Sequence, residues 1–203
     1  MGLENLQIML PMISNVNEVN SAVKHIKRAY HELSQEGLKI KFPPIGVMIE
    51  VPAAVYQTRA LAKLVDFVSV GSNDLTQYLL AVDRNNSRVA NLYSSFHPSV
   101  LSALQYVVSQ ARLENKPVSI CGEMAGDPGA AVLLMAMGFD VLSMNAAALL
   151  KVKSVIRSVS YRSAKDLLNQ VLDMDDSQLI KNAVDLELYN AGVDRLLRSS
   201  RTN

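Results

Sequence analysis

Short apolar runs alternate along this chain with longer stretches in which apolar residues recur at helical spacing. Ile8–Ile13 precedes Val16–Gln35, Gly46–Glu50 precedes Ala53–Leu64, and Phe67–Gly71 precedes Asp74–Val82. Further on, Val118–Cys121 precedes Gly129–Met137, and Val141–Met144 precedes Ala146–Ser158. Continuous apolar strands separated by helices predict a parallel sheet covered by helices, because such strands are buried on both faces. The punctuation agrees: Asn15 and Asn145 stand where helix caps belong, Asp127 precedes a first-turn Pro128, and Gly138 follows as a stop signal. Five βα units predict an α/β fold, either an open sheet or part of an eight-unit (β/α)8 TIM-type barrel. From Tyr161 to Arg198 the sequence is charged and helix-periodic, with Leu167, Leu168, Val171, Leu172, Val184 and Leu188 apolar. It reads as one or two helices packed on the outside or against a partner. The expected organisation is one partial barrel domain over 1–203, with 160–203 as its helical tail.

Composition narrows the function classes. Twenty Lys and Arg against nineteen Asp and Glu leave a net charge of +1, which offers no field for nucleic acid or an anionic membrane. Cys121 is the only cysteine, so no internal disulfide forms and a reducing, cytoplasmic setting is expected. The run Ile8–Met12 is short, contains Pro11 and lacks a basic leader, so no signal peptide is expected. No apolar stretch reaches the roughly 20 residues a bilayer span needs.

In parallel α/β folds the functional residues gather where strands end and their loops converge. Glu50 follows one apolar run, Asn73 and Asp74 follow another, and Cys121 closes a third. Two carboxylates at one mouth suit Mg²⁺, which takes one or two protein carboxylates and completes its octahedron with substrate oxygens and water. Each residue also has a plainer role. Asp74 serves equally well as a helix cap, Glu50 as half of a structural ion pair, and Cys121 as a buried thiol. Arg84 reaches a phosphate or pairs with its neighbour Asp83. His97, before Pro98, reads as structural; His25 and His31 read as surface residues of the first helix. Met124, Met135, Met137 and Met144 read as core packing.

Several segments carry more than pattern. Leu10–Ile13, Gly46–Ala53, Gly71–Tyr78, Ala81–Asn86 and Cys121–Pro128 closely resemble the C-terminal domain of the phosphoenolpyruvate-protein phosphotransferase (enzyme I) family. The Asp83-Arg84-Asn85-Asn86 wording and Arg88–Tyr93 resemble its nitrogen-related paralogue most. The resemblance extends to about Arg157. It implies that Glu50 and Asp74 bind Mg²⁺, that Asn73 and Arg84 contact phosphoenolpyruvate (PEP), and that Cys121 protonates the pyruvate enolate. It further implies a phosphorylated histidine on a separate N-terminal domain, through which a phosphocarrier protein is served, and a homodimer. None of the three histidines sits in that domain's motif, and the early barrel strands have no match. The expectation is therefore a fragment holding part of a PEP site, inactive alone.

Two other functions stay open at this point. One is a Mg²⁺-dependent lyase acting on pyruvate or oxaloacetate-type substrates on the same barrel, against which the Cys121–Asp127 segment argues. The other is a non-catalytic dimerisation module, since an incomplete barrel exposes sheet edges.

Overall fold

Five strands, β1 (Ile8–Leu10), β2 (Ile45–Ile49), β3 (Phe67–Gly71), β4 (Val118–Cys121) and β5 (Val141–Ser143), lie parallel in a single sheet in the order of the sequence. The computed structural model describes residues 5–193. Right-handed crossovers between strands laid down in order put every intervening helix on one face. A doubly wound sheet reverses its order part-way and carries helices on both faces; this sheet does not reverse. The winding is that of a barrel, of which five βα units are present, as the pattern predicted.

Strand register sorts the side chains into rows. Leu10, Val47, Val68 and Val118 form one helix-facing row, and Ile49, Val70, Ile120 and Leu142 form the next. Val47, Ile49, Val68, Val70, Val118 and Ile120 are wholly buried there. The opposite, open face carries Met9, Met48, Ser69, Ser119 and Val141, and at its upper end Gly71, Cys121 and Ser143. At the lower end, Asp66 and Asp140 each precede a strand and hold the start of the strand before it. Asp66 Oδ2 accepts from Ile45 N and Asp140 Oδ2 from Val118 N, both at 2.8 Å, while their own N–H groups donate to the Ile45 and Val118 carbonyls.

The helices begin where their caps predict. Asn15 and Glu18 form a full capping box on α1 (Val16–Gln35), Asp127 caps α6 (Pro128–Met137), and Asn145 caps α7 (Ala146–Ser158). The helix α2 (Pro52–Ala62) starts on a proline, and α3 (Ser72–Leu80) starts directly from β3. Gly138, at φ 99°, closes α6 in the left-handed conformation that favours glycine. Beyond β5, α8 (Tyr161–Leu172) packs on α6, as does α9 (Ser177–Asn190), burying Leu167, Leu168, Val171, Val184 and Leu188. Residues 194–203 of the expected tail lie outside the described residues.

Two helices differ from the sequence reading. A sixteen-residue helix, α4 (Pro98–Leu113), follows α3 after a long connection, so the third unit carries two helices. The segment after Cys121 contains a one-turn helix, α5 (Glu123–Gly126), outside the five strand–helix pairs of the pattern. His97 has the structural role expected of it: its Nδ1 accepts from Ser99 N at 3.1 Å and caps α4. Met144 is half-buried rather than part of the core, because β5 is an edge strand. Among the described residues no helix is long and apolar enough to cross a membrane.

Candidate functional site

Glu50, Gly71, Cys121 and Ser143 share one level of the sheet. Ile49 pairs with Val70, Gly71 with Cys121 and Cys121 with Ser143, so Glu50 continues the row beyond Gly71. Glu50 is only 4% exposed, and a buried carboxylate needs hydrogen-bond donors or a cation. Its Oε1 accepts from Met12 N at 2.8 Å. Met12 reaches it by adopting φ 54°, a left-handed conformation that costs a side-chain-bearing residue about 1–2 kcal/mol. Among the described residues no cation stands within ion-pair distance of Glu50, so the structural salt bridge considered for it is not formed.

Gly71 keeps the space beside that carboxylate open. A Cβ there would stand 2.5 Å from Glu50 Oε2 and 3.1 Å from Met48 Sδ. Directly after it, α3 begins without a side-chain cap, leaving its first backbone N–H groups free at the mouth. Asp74 lies in that first turn rather than at the cap, which removes the capping role considered for it. It faces Arg84 instead, with Arg84 Nη2 3.4 Å from Asp74 Oδ1. The neighbour Asp83 is occupied with Asn85 N, and Ala81, left-handed at φ 52°, turns the chain so that Arg84 comes back over α3. Arg84 Nη1 is buried without a partner, an arrangement that costs about 1–3 kcal/mol unless an acceptor arrives.

Cys121 is half-buried on the open face. Burial pushes its thiol above the ordinary cysteine range, and the negative charges of Glu50 and then Asp74 push it further. The thiol is thus held protonated at neutral pH, the state an acid requires. Asn73 Oδ1 accepts from Glu123 N at 3.0 Å, which fixes the amide's orientation and leaves its NH₂ half available to a substrate oxygen. The sequence assigns no role to Met12, Gly71, Ser72 or Tyr93. Ser72 Oγ donates to the Cys121 carbonyl at 2.7 Å, and the Tyr93 hydroxyl lies 3.4 Å from the Asn73 carbonyl. Burial raises the Tyr93 hydroxyl above its usual range, against the opposing pull of Thr76 and Arg84. The one signal for Ser72 and Gly71 was their place between an apolar run and Asn73-Asp74.

The donor set fits Mg²⁺. Among the described residues no group of three or more His, Cys, Asp or Glu side chains converges on a metal position, so a cage of protein ligands is not available. Two carboxylates with unused lone pairs, one kept uncrowded by a glycine, match an ion that draws its other ligands from substrate and water. A separate cavity of about 550 Å³ lies beside the mouth, lined by residues including Tyr93, Phe96, Glu123, Asp127 and Lys181, and none of Glu50, Asp74, Arg84 or Cys121 lines it.

Residues 2–161 match the family described as "PEP-utilising enzyme, PEP-binding domain". The chain is 42% identical, over 96% of its length, to a "Phosphoenolpyruvate-dependent phosphotransferase system" protein of Escherichia coli strain K12, of which the match covers 26%. It is 43% identical, over 82% of its length, to a "Phosphoenolpyruvate-protein phosphotransferase" of Haemophilus influenzae, covering 29% of that protein. The chain thus spans between a quarter and a third of these curated relatives. Among solved structures, a citrate lyase of Burkholderia xenovorans LB400 superimposes with a TM-score of 0.54 at 14% identity, covering 97% of this chain and 64% of that one. That likeness concerns the fold alone. With the family match reaching from before β1 through the first residue of α8, the chain belongs to the PEP-binding domain family of PEP-utilising enzymes.

Proposed function

We propose that this chain provides the PEP-binding mouth of a phosphotransferase that moves phosphate from PEP to an enzyme histidine and then to a phosphocarrier protein, releasing pyruvate. The observation that carries the reading is the convergence of Glu50, the Asp74–Arg84 pair and Cys121 at the ends of β2, β3 and β4. The relatives at about 40% identity are phosphotransferases by name, and this favours the transferase over the lyase.

Glu50 and Asp74 are the candidate Mg²⁺ ligands. When bound, Mg²⁺ supplies concentrated positive charge to the oxygens that gain negative charge as phosphate leaves. Arg84 offers its unpartnered Nη1 to a phosphate oxygen, and the Asn73 NH₂ group together with the start of α3 provides further donors. In the transfer step the bond from phosphorus to the enol oxygen breaks as a bond to the histidine nitrogen forms, and the enolate keeps the electron pair. Cys121 then gives its thiol proton to the enolate's terminal carbon, forming the methyl group of pyruvate and leaving a thiolate. The attacking histidine belongs outside this chain, since His25 and His31 are exposed on α1 and His97 caps α4. Alone, the chain is therefore a binding half-site without turnover. The single cysteine favours a cytoplasmic setting and the Asp83–Asn86 wording the nitrogen-related branch, while a homodimer rests on the resemblance to the enzyme I family alone.

The test is isotope exchange between pyruvate and PEP in the presence of Mg²⁺. It is run on the chain alone and on the chain spliced in place of the matching segment of the Escherichia coli relative. Exchange is expected in the splice and not in the chain alone. Exchange by the chain alone refutes the external histidine, and its absence from a folded splice refutes the phosphotransferase assignment.

A further inference from the structure

Ser72 is one of the few buried polar residues among those described, 2% exposed, and it stands inside α3 rather than at its cap. A serine in the first turn of a helix usually bonds to its own backbone. Here its hydroxyl instead crosses to the neighbouring strand end and donates to the Cys121 carbonyl at 2.7 Å, across 49 residues of sequence. The following peptide is fixed from the same side, since Asn73 Oδ1 accepts from Glu123 N at 3.0 Å. Between them Gly122, at φ 111°, is pressed so close that a Cβ there would collide with Ser72 Oγ and lie 2.8 Å from Asn73 Oδ1. Upstream, Cys121 is fixed by its pairing with Gly71 and Ser143. The backbone on both sides of the thiol is therefore immobilised, and Cys121 keeps only rotation about χ1.

We infer that Ser72 is a positioning residue for proton delivery: by holding the Cys121 carbonyl it sets the direction from which the thiol approaches the enolate carbon. The inference rests on the phosphotransferase reading for its reaction, but the clamp itself does not. In the step it serves, the Sγ–H bond breaks, a C–H bond forms at the enolate's terminal carbon, and the thiolate keeps the electron pair. The Ser72 hydroxyl gives no proton to the enolate, since its hydrogen is engaged on the Cys121 carbonyl.

Two arms test it. In the chain itself the lone cysteine makes iodoacetamide alkylation site-specific. Ser72→Ala, shown by circular dichroism to be folded, is expected to change the alkylation rate at least threefold, an order-of-magnitude figure of about 0.6 kcal/mol at 298 K. Ser72→Thr, which keeps the hydroxyl, is expected to restore the wild-type rate. An unchanged rate in Ser72→Ala, or no rescue by threonine, overturns the clamp. If the alanine variant is unfolded, Ser72→Thr alone decides: a rate displaced from wild type overturns the clamp. In the spliced full-length enzyme, Ser72→Ala is expected to lower kcat about tenfold with KM for PEP unchanged, because misplacing a reacting group by an ångström costs up to about a hundredfold. The solvent deuterium isotope effect is expected to rise as proton delivery becomes limiting. A parallel fall in kcat and rise in KM with no change in isotope effect overturns the positioning role. If the unmutated splice shows no exchange, the phosphotransferase reading falls separately, and the alkylation arm still decides the clamp.

Discussion

Replacing Gly71 by alanine tests whether the space beside Glu50 is a designed part of the mouth. Gly71 has φ −86° and ψ 87°, so the backbone accepts alanine and the change acts through contact alone. The new methyl would lie 2.5 Å from Glu50 Oε2, 3.0 Å from Glu50 Cβ and 3.1 Å from Met48 Sδ. Overpacking of this kind costs about 1–3 kcal/mol. If the carboxylate swings away it also loses its bond from Met12 N, worth about 1.5–3 kcal/mol for a charged acceptor. Replacing glycine restricts the unfolded chain and returns about 0.4–1 kcal/mol. A net loss of about 2–5 kcal/mol is expected, read as a fall of about 1–2 M in the urea midpoint. The decisive control is the double-mutant cycle: in a Glu50→Ala background, which removes the carboxylate at 2.5 Å and leaves the Cβ at 3.0 Å and Met48 Sδ at 3.1 Å, the cost of Gly71→Ala should shrink by at least about 1 kcal/mol. Equal costs in both backgrounds would refute the contact, and a cost under about 0.5 kcal/mol in the wild type would refute the reasoning altogether.

Because burial and then the charges of Glu50 and Asp74 raise the Cys121 thiol, less thiolate is present at any given pH than in a free peptide. The pH profile of its alkylation should be displaced upward from that of a cysteine peptide, and Glu50→Gln should move it part of the way back; a profile at or below the peptide's contradicts this. Asp140 is raised by partial burial but held below the usual carboxylate range overall by the Val118 N–H bond and by Arg112, whose Nη2 lies 2.6 Å away. A lowered folded pKa adds stability that is present above the unfolded value and lost as pH falls through the folded one. Asp140→Ala should therefore destabilise at neutral pH by about 1–2 kcal/mol, chiefly by leaving Val118 N–H unmet, with the deficit narrowing in acid. A constant deficit across pH, measured by urea unfolding, would count against the carboxylate.

Local signals carried most of the fold. Asn15, Asp127, Asn145 and Gly138 each announced a helix end because caps act within three or four residues. The helix α4 falls outside the five strand–helix pairs, although Pro98 suits a helix start and Val100, Leu101, Leu104, Val107 and Val108 have helical spacing. A reading in strand-then-helix pairs had already assigned β3 its helix. At the mouth, Glu50, Asp74 and Cys121 were legible because strand ends converge. Their partners were not, because each contact is set by folding at a distance or by an unusual backbone turn. Met12 reaches Glu50 across 38 residues, Ser72 reaches Cys121 across 49, and Arg84 pairs with Asp74 across the left-handed turn at Ala81 rather than with its neighbour Asp83.

The aspartates beneath the sheet bear on chemistry they never touch. Asp66 and Asp140 each tie one strand's first residue to the residue just before its successor, with a bond in each direction. A strand can shift against its neighbour without turning its side chains over only in steps of two residues, about 7 Å at a time. One such step would carry Glu50 out of line with Gly71, or Cys121 out of line with Ser143. By forbidding it, two carboxylates at the far end of the strands act as the zero mark of a ruler whose graduations are read at the mouth.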